Sequence, residues 1–341
     1  MNSFERVMTV LRKGIPDRVP VFEWVIDKNV IEAICPGGDQ GDLVEELDLD
    51  AIVVPQDEIR ERINDTTYRD EWGVIKKQSG QAYAMQIQYP LVSRSDIERY
   101  RPPDPEAAYR FDSLKQAVER FKGKKAIIIK LRDVFSQPRD LRGFEQLLID
   151  CALDQELVTD LVEISVSYFG RLAERAIELG ADIIHTGDDI ADNHGPFFSP
   201  QLYKEIFYPQ FKKLVQRFHS TGAPYIKHSD GYLWPILDLL VDSGLDMLDP
   251  IDPLAGMDIA LVKKRYGNQI GIKGNVDCAG VLQYGTPEDV AAATRACIHI
   301  ASPGGGHVLS SSNSIHSGIP AHNFIAMVEA VHRFGQYPIG V

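Results

Sequence analysis

This sequence is poor in the features that mark nucleic-acid, membrane or disulfide-stapled proteins. No basic stripe interrupts its 341 residues and the formal net charge is −13, which argues against a partner held through phosphate contacts. No apolar run approaches the roughly 18 residues that a membrane span needs. The opening "MNSFERVMTVLRKG" mixes acids and bases on a short amphipathic helix and lacks the continuous apolar core of a signal peptide. Only four cysteines occur, Cys35, Cys151, Cys278 and Cys297, widely spaced and with no CxxC pair. Thiols so placed act as small core residues in a reducing compartment, so a cytoplasmic protein is expected. Low-complexity segments and short repeats are also missing.

What is present is a structural rhythm. Eight short apolar runs each end in polar or charged residues: 19–24, 51–58, 126–133, 182–189, 224–230, 246–252, 269–277 and 307–313. Unalternating runs rich in Ile and Val read as strands buried on both faces. Helical patterns separate most of them. One opens on Ser199-Pro200 and closes on Gly222, another opens on Thr286-Pro287, and a long one stops at Gly180. Eight strand–helix units predict a (β/α)8 TIM-type barrel, as one domain over 1–341. The alternating segment around "QSGQ" predicts a β-hairpin insertion after the second strand, at about 66–93. A doubly wound open sheet is the competitor, disfavoured because no glycine-rich phosphate loop follows the first run. "SPGGGH" (302–307) precedes a strand and reads as a tight turn.

In such a barrel the active site lies at the strand C-termini. The tails there carry Glu23, Trp24, Lys130, Arg132, His185, Asp188, Asp189, Lys227, His228, Asp230, Asp249, Lys273, Asn313 and His316, among others. Plainer readings stand beside the chemical ones. One of Asp188 and Asp189 can cap a turn, His185 can be a hydrogen-bonded core histidine, and Asp249-Pro250 reads as a turn-forming pair. His228 and Asp230, two apart at a strand end, face one side and suit a shared task.

With these residues in place, the chain resembles the uroporphyrinogen decarboxylase superfamily, and within it the cobalamin-dependent methyltransferase branch. The resemblance is carried by "RKGIPDRVPVFEW" (12–24), "GDDIADNHGPFFSPQLYKEIFYPQFKKLV" (187–215), "IKHSDG" (226–231) and "GGGHVLSSSNSIHSGIPAHNFIAMVEAV" (304–331). It implies a distorted (β/α)8 barrel. Two departures narrow the activity. Decarboxylases of the superfamily carry an arginine-rich segment after the first strand, whereas 22–36 here contains no arginine. Thiol-methylating members hold zinc with a His-x-Cys pair and a later cysteine. Those positions fall here on His228, Asp230 and, at or near it, Asn313. Thiolate ligation of zinc is therefore lost.

The resemblance then implies a relative of the first methyltransferase of anaerobic O-demethylase systems. Such an enzyme moves a methyl group from a methoxylated aromatic to cob(I)alamin on a separate corrinoid protein. The expected catalytic residues are His228, Asp230, Asp188 and Asp189, activating the departing ether oxygen. Trp24, His185, Phe198, Tyr203, Lys227 and Asn313 are expected to contact substrate. If zinc binds, His228, Asp230 and His316 are its expected ligands, with direct substrate binding by His228 and Asp230 as the alternative. A decarboxylase or lyase of a small acid would instead place Lys130, Arg132 or Lys227 on a carboxylate. A non-catalytic barrel that binds a corrinoid protein is a third reading.

Overall fold

The computed structural model describes residues 1–78 and 84–339. Seven parallel strands form one curled sheet: β1 (Ala51–Pro55), β6 (Ala126–Leu131), β7 (Ile183–Gly187), β8 (Tyr225–His228), β9 (Met247–Asp249), β10 (Gly271–Lys273) and β11 (His307–Val308), adjacent in that order. The eighth place is taken by the run at 19–24. Leu309 N–H donates to the Pro20 carbonyl (2.9 Å) and Asp50 N–H to the Val21 carbonyl (2.8 Å). Pro20 has no N–H to offer a ladder, and this segment joins its neighbours through isolated bridges such as Val21–Leu309. The eight apolar runs thus all occupy barrel positions.

Between β1 and β6 the chain forms a four-stranded antiparallel sheet of β2 (Arg60–Arg62), β3 (Thr67–Asp70), β4 (Ile75–Lys77) and β5 (Met85–Gln88), in sequence order. The hairpin expected at 66–93 is therefore part of a larger sheet that begins earlier. Its first strand, Arg-Glu-Arg, is wholly exposed and has no apolar alternation by which sequence could mark it. Residues 79–81 of the "QSGQ" turn lie outside the described residues.

The helix starts follow local chemistry. Ser199 caps the helix at Pro200 by accepting from Leu202 N–H, and Thr286 forms a reciprocal capping box with Asp289. The 199–222 segment is interrupted by a π-helical turn over Tyr203–Phe207. Pro209, unable to donate to the carbonyl four residues back, sits just beyond it. Inside the barrel, Phe22, Val53, Ile128, Ile183, Ile226, Met247 and Val308 pack with Val7, Val10 and Leu11 of the helix Ser3–Leu11. That helix plugs the N-terminal end. A second, larger core lies between sheet and outer helices.

Candidate functional site at the barrel mouth

Strand register sorts the polar residues onto two faces. Lys130 pairs with His185, Gly187 with His228, His228 with Asp249, and Lys273 with Val308. Residues paired across parallel strands share a face, so Lys130, His185, His228, Asp249 and Lys273 join Ile128, Ile226 and Val308 on the inner side. Leu131, Thr186, Lys227 and Leu248, one residue out of phase, point to the helices.

The inner group is organised around Asp249. Its Oδ1 accepts from Lys273 Nζ at 2.9 Å and its Oδ2 from His228 Nδ1 at 2.8 Å, all three side chains being buried. Burial works against the Asp249 charge, but Lys273 and His228 hold its pKa well below the usual carboxylate range. His185 Nε2 lies 3.1 Å from Asp249 Oδ2 without hydrogen-bonding alignment. Complete burial pushes the His185 pKa down to about 3, so this imidazole stays neutral.

With Nδ1 fixed by Asp249, His228 turns Nε2 toward the opening. Asp230 Oδ1 is 3.6 Å away and Asp189 Oδ1 3.8 Å. Burial disfavours the imidazolium, yet Asp230, Asp249 and Asp189 outweigh it and raise the His228 pKa. Asp230 is itself pushed up to about 7, chiefly by burial and against the pull of His228. Its Oδ2 accepts from Asn313 Nδ2 while Oδ1 has no partner. Trp24 forms one wall. Its indole stacks on His228 at 4.9 Å, tilts against His185 at 4.3 Å and carries Lys130 Nζ over its ring at 4.1 Å. Gly187 makes room for it, since a Cβ there would sit 2.2 Å from Trp24 Cζ2.

Two groups of side chains bring metal-ligating atoms close together among the described residues: His185, His228 and Asp249, and Asp189, His228 and Asp230. In the first, Asp249 is engaged by Lys273 and by His228 Nδ1, and His185 is fully buried with neither ring nitrogen hydrogen-bonded. The second opens to solvent and contains the unpartnered Asp230 oxygen, so its N/O donor set fits a hard or borderline divalent cation such as zinc.

The profile described as uroporphyrinogen decarboxylase (URO-D) matches residues 78–334. The chain belongs to this family. The uroporphyrinogen decarboxylase of Coxiella burnetii (strain Dugway 5J108-111) is 24% identical over 265 residues, 73% of this chain and 69% of that protein. A methylated-thiol–coenzyme M methyltransferase of Methanosarcina mazei is 23% identical over 212 residues, 62% of this chain and 54% of its own length. A solved methyltransferase from Methanosarcina mazei superposes with a TM-score of 0.74 at 18% identity, covering 98% of this chain and 99% of that one. That likeness is one of fold.

Within this uroporphyrinogen decarboxylase family barrel, Trp24, His185, Asp189, His228, Asp230 and Asn313 gather at the mouth as expected from their strand ends. Four other expected site residues do not. Lys227 faces outward, its Nζ 2.7 Å from Asp133 Oδ2 and 2.9 Å from the Asp188 carbonyl. Asp188, on the same outer face, accepts from the backbone N–H groups of Phe135 and Ser136 and so caps the turn after β6. Both assignments ignored the period-two alternation of a strand. Phe198 and Tyr203 stack on one another at 5.7 Å in the buried aromatic cluster with Phe207, behind the mouth. His316, expected as a zinc ligand, is placed elsewhere, outside the two groups of close metal-ligating atoms. Its Nε2 is 3.3 Å from the Cys278 carbonyl and its Nδ1 accepts from Gly318 N–H, which leaves no lone pair free. The residue that sequence reasoning undervalued is Asp249, read there as a turn former. Its place two residues after the inward Met247 was the available signal.

Proposed function

We propose that this protein is a methyltransferase that removes a methyl group from an O-methyl donor, a methoxylated aromatic, and passes it to cob(I)alamin on a partner corrinoid protein. The observation that carries this reading is the His228–Asp230–Asn313 arrangement. Two oxygen- and nitrogen-bearing side chains, hydrogen-bonded to each other, occupy the places where the resemblance to thiol-methylating relatives calls for cysteine. A site without thiolates is poorly suited to activating a thiol and well suited to a departing oxygen. Family membership supports enzymatic activity of the decarboxylase or methyl-transfer kind, and segment 22–36 without arginine disfavours a polycarboxylate tetrapyrrole.

Cob(I)alamin supplies the nucleophile, so the chain need not. Its own task is the leaving group. As the C–O bond breaks, its electron pair stays on the ether oxygen, and the proton on His228 Nε2 is available to that oxygen, giving a phenol. Asp249 holds the imidazole in the orientation that presents Nε2 and stabilises its charge, with Lys273 balancing the buried carboxylate. Asp230, Asp249 and Asp189 favour the protonated imidazole by raising its pKa. Trp24 walls the site and offers the donor ring an apolar surface. The alternative to the His228 proton is zinc, which His228 through a deprotonated Nε2, Asp230 and Asp189 would hold and which would then supply Lewis acidity at the same oxygen in place of the imidazolium.

The test is incubation with cob(I)alamin and methoxyaromatic donors while the corrinoid spectrum is followed. Appearance of the methylcobalamin spectrum with stoichiometric phenol supports the proposal. Carbon dioxide release from an acid, without corrinoid methylation, assigns the chain to decarboxylation instead.

A further inference from the structure

The helix Pro287–Ala301 lies in the outer layer between β10 and β11. It buries Val290, Thr294, Cys297 and Ile298 against the barrel. Glu288, Ala292, Arg295 and His299 turn to solvent, and their steps of four and three residues make one continuous stripe. Together with Ala291 and with Phe334, the last residue of the helix Ala321–Phe334, they line a groove of about 550 Å3. Its floor is alanine and the ring face of Phe334, over which the Arg295 guanidinium lies at 5.3 Å. Exposed apolar side chains flank both ends, Tyr284 just before the helix and Ile300 at its close. Glu288 and Arg295 have opposite charges, and neither forms a salt bridge among the described residues.

Opposite charges spaced along one helix face are complementary to the same face of another copy. A two-fold axis passing between Ala291 and Ala292 lays the helix antiparallel on its counterpart. Glu288 of each copy then meets Arg295 of the other, because both stand equally far from that axis. The alanines at the crossing let the two backbones approach to about 8 Å. The same rotation brings Tyr284 of one copy over the end that carries Ile300 of the other. We propose that this groove is the seat of a second copy of the chain, in an isologous dimer formed through the helix Pro287–Ala301. A partner of one charge sign would set either Glu288 or Arg295 against its like, whereas a second copy pairs both. A single helix face is at the small end of specific interfaces, roughly 1,200 Å2 in total or less, so the dimer is weak and reversible. It leaves both barrel mouths open and does not depend on the methyl-transfer reading.

Sedimentation velocity over a series of protein concentrations tests the dimer. The wild-type protein is expected to rise from the monomer mass toward twice that mass as concentration increases. Glu288→Arg or Arg295→Glu alone sets like charges together twice per dimer and is expected to weaken association about a hundredfold or more. Both substitutions in one chain restore it, since the exchanged charges pair again. An equimolar mixture of the two single variants restores it too, as a mixed dimer in which every charge meets its opposite. That recovery also shows that each single variant is folded. A wild-type protein that stays monomeric at every concentration overturns the proposal. So does a dimer indifferent to either reversal, or a loss that the double reversal and the mixture do not both recover, because self-association then uses another face.

Discussion

Asp249 gives one carboxylate oxygen to Lys273 Nζ and the other to His228 Nδ1, so a single buried anion fixes the orientation of the imidazole. Asp249→Asn keeps the volume and removes the charge. Methyl transfer is expected to fall about a hundredfold or more, the scale of a lost general-acid contribution. Lys273 is then left buried without its counter-ion, and stability drops by about 3–5 kcal/mol. Turnover and urea unfolding of the same variant check both. Full activity in a folded Asp249→Asn protein removes His228 orientation from the mechanism.

Lys227→Met tests the other face. Its ammonium is paired with Asp133 beneath the helices, where Thr186 Oγ1 also donates to Asp133 at 2.6 Å. Removing one member of a buried pair costs about 3–5 kcal/mol as an upper range. Burial and neighbouring Asp188 already raise the Asp133 pKa to about 8, so uptake of a proton softens the loss. The expected result is a lower urea midpoint with the donor KM unchanged. An altered KM without a stability change would put Lys227 back at the site.

That contrast marks where sequence reading reached its limit. Eight apolar runs with charged ends sufficed for the barrel, because buried parallel strands and capped helices leave strong local patterns. The polar ends alone did not say which side chains face in. Asp188 and Asp189 are adjacent and equally charged, yet one caps a turn and the other edges the mouth. Only the register, set by long-range pairing of β6, β7 and β8, separates them. Asp249 was hidden by the proline that follows it, and β2 by its lack of any apolar residue.

The open donor set of Asp189, His228 and Asp230 predicts one equivalent of a divalent metal in protein purified without chelator, by elemental analysis. His228→Ala and Asp230→Ala are expected to lose it. His316→Ala is expected to retain it, since both ring nitrogens of His316 are engaged elsewhere. A metal lost with His316 instead would reassign the ligands.

Gly187→Ala probes the wall. The new methyl meets Trp24 Cζ2 at 2.2 Å, too close for any side-chain adjustment short of moving the indole. Overpacking of this kind costs about 1–3 kcal/mol. The displaced ring also takes with it the surface on which His228 and Lys130 rest. Tryptophan fluorescence is expected to shift and activity to fall together. Unchanged emission would mean that the indole does not occupy this position in solution.

A pH test lies away from the mouth, at His307. This buried imidazole donates from Nε2 to the Gly274 carbonyl at 2.8 Å and accepts at Nδ1 from Ser302 Oγ at 2.7 Å. The neutral ring therefore satisfies both neighbours. Burial, reinforced by Lys263 and only partly offset by Gly274, pushes its pKa down to about 4. The unfolded chain takes up this proton near pH 6.5, whereas the folded protein resists it until about pH 4. Protons therefore favour the unfolded state across that interval, and stability contributed by the neutral ring is present above pH 6.5 and lost toward pH 4, at up to about 1.4 kcal/mol per pH unit. His307→Gln can keep an amide donor and acceptor but cannot titrate. The stability difference between wild type and His307→Gln, from urea midpoints, is expected to be largest at pH 7 to 8 and to shrink steadily toward about pH 4. Other carboxylates titrate in both proteins and cancel in that difference. A difference that stays constant from about pH 7 to 4 would mean that His307 is charged, or solvated, in the native fold.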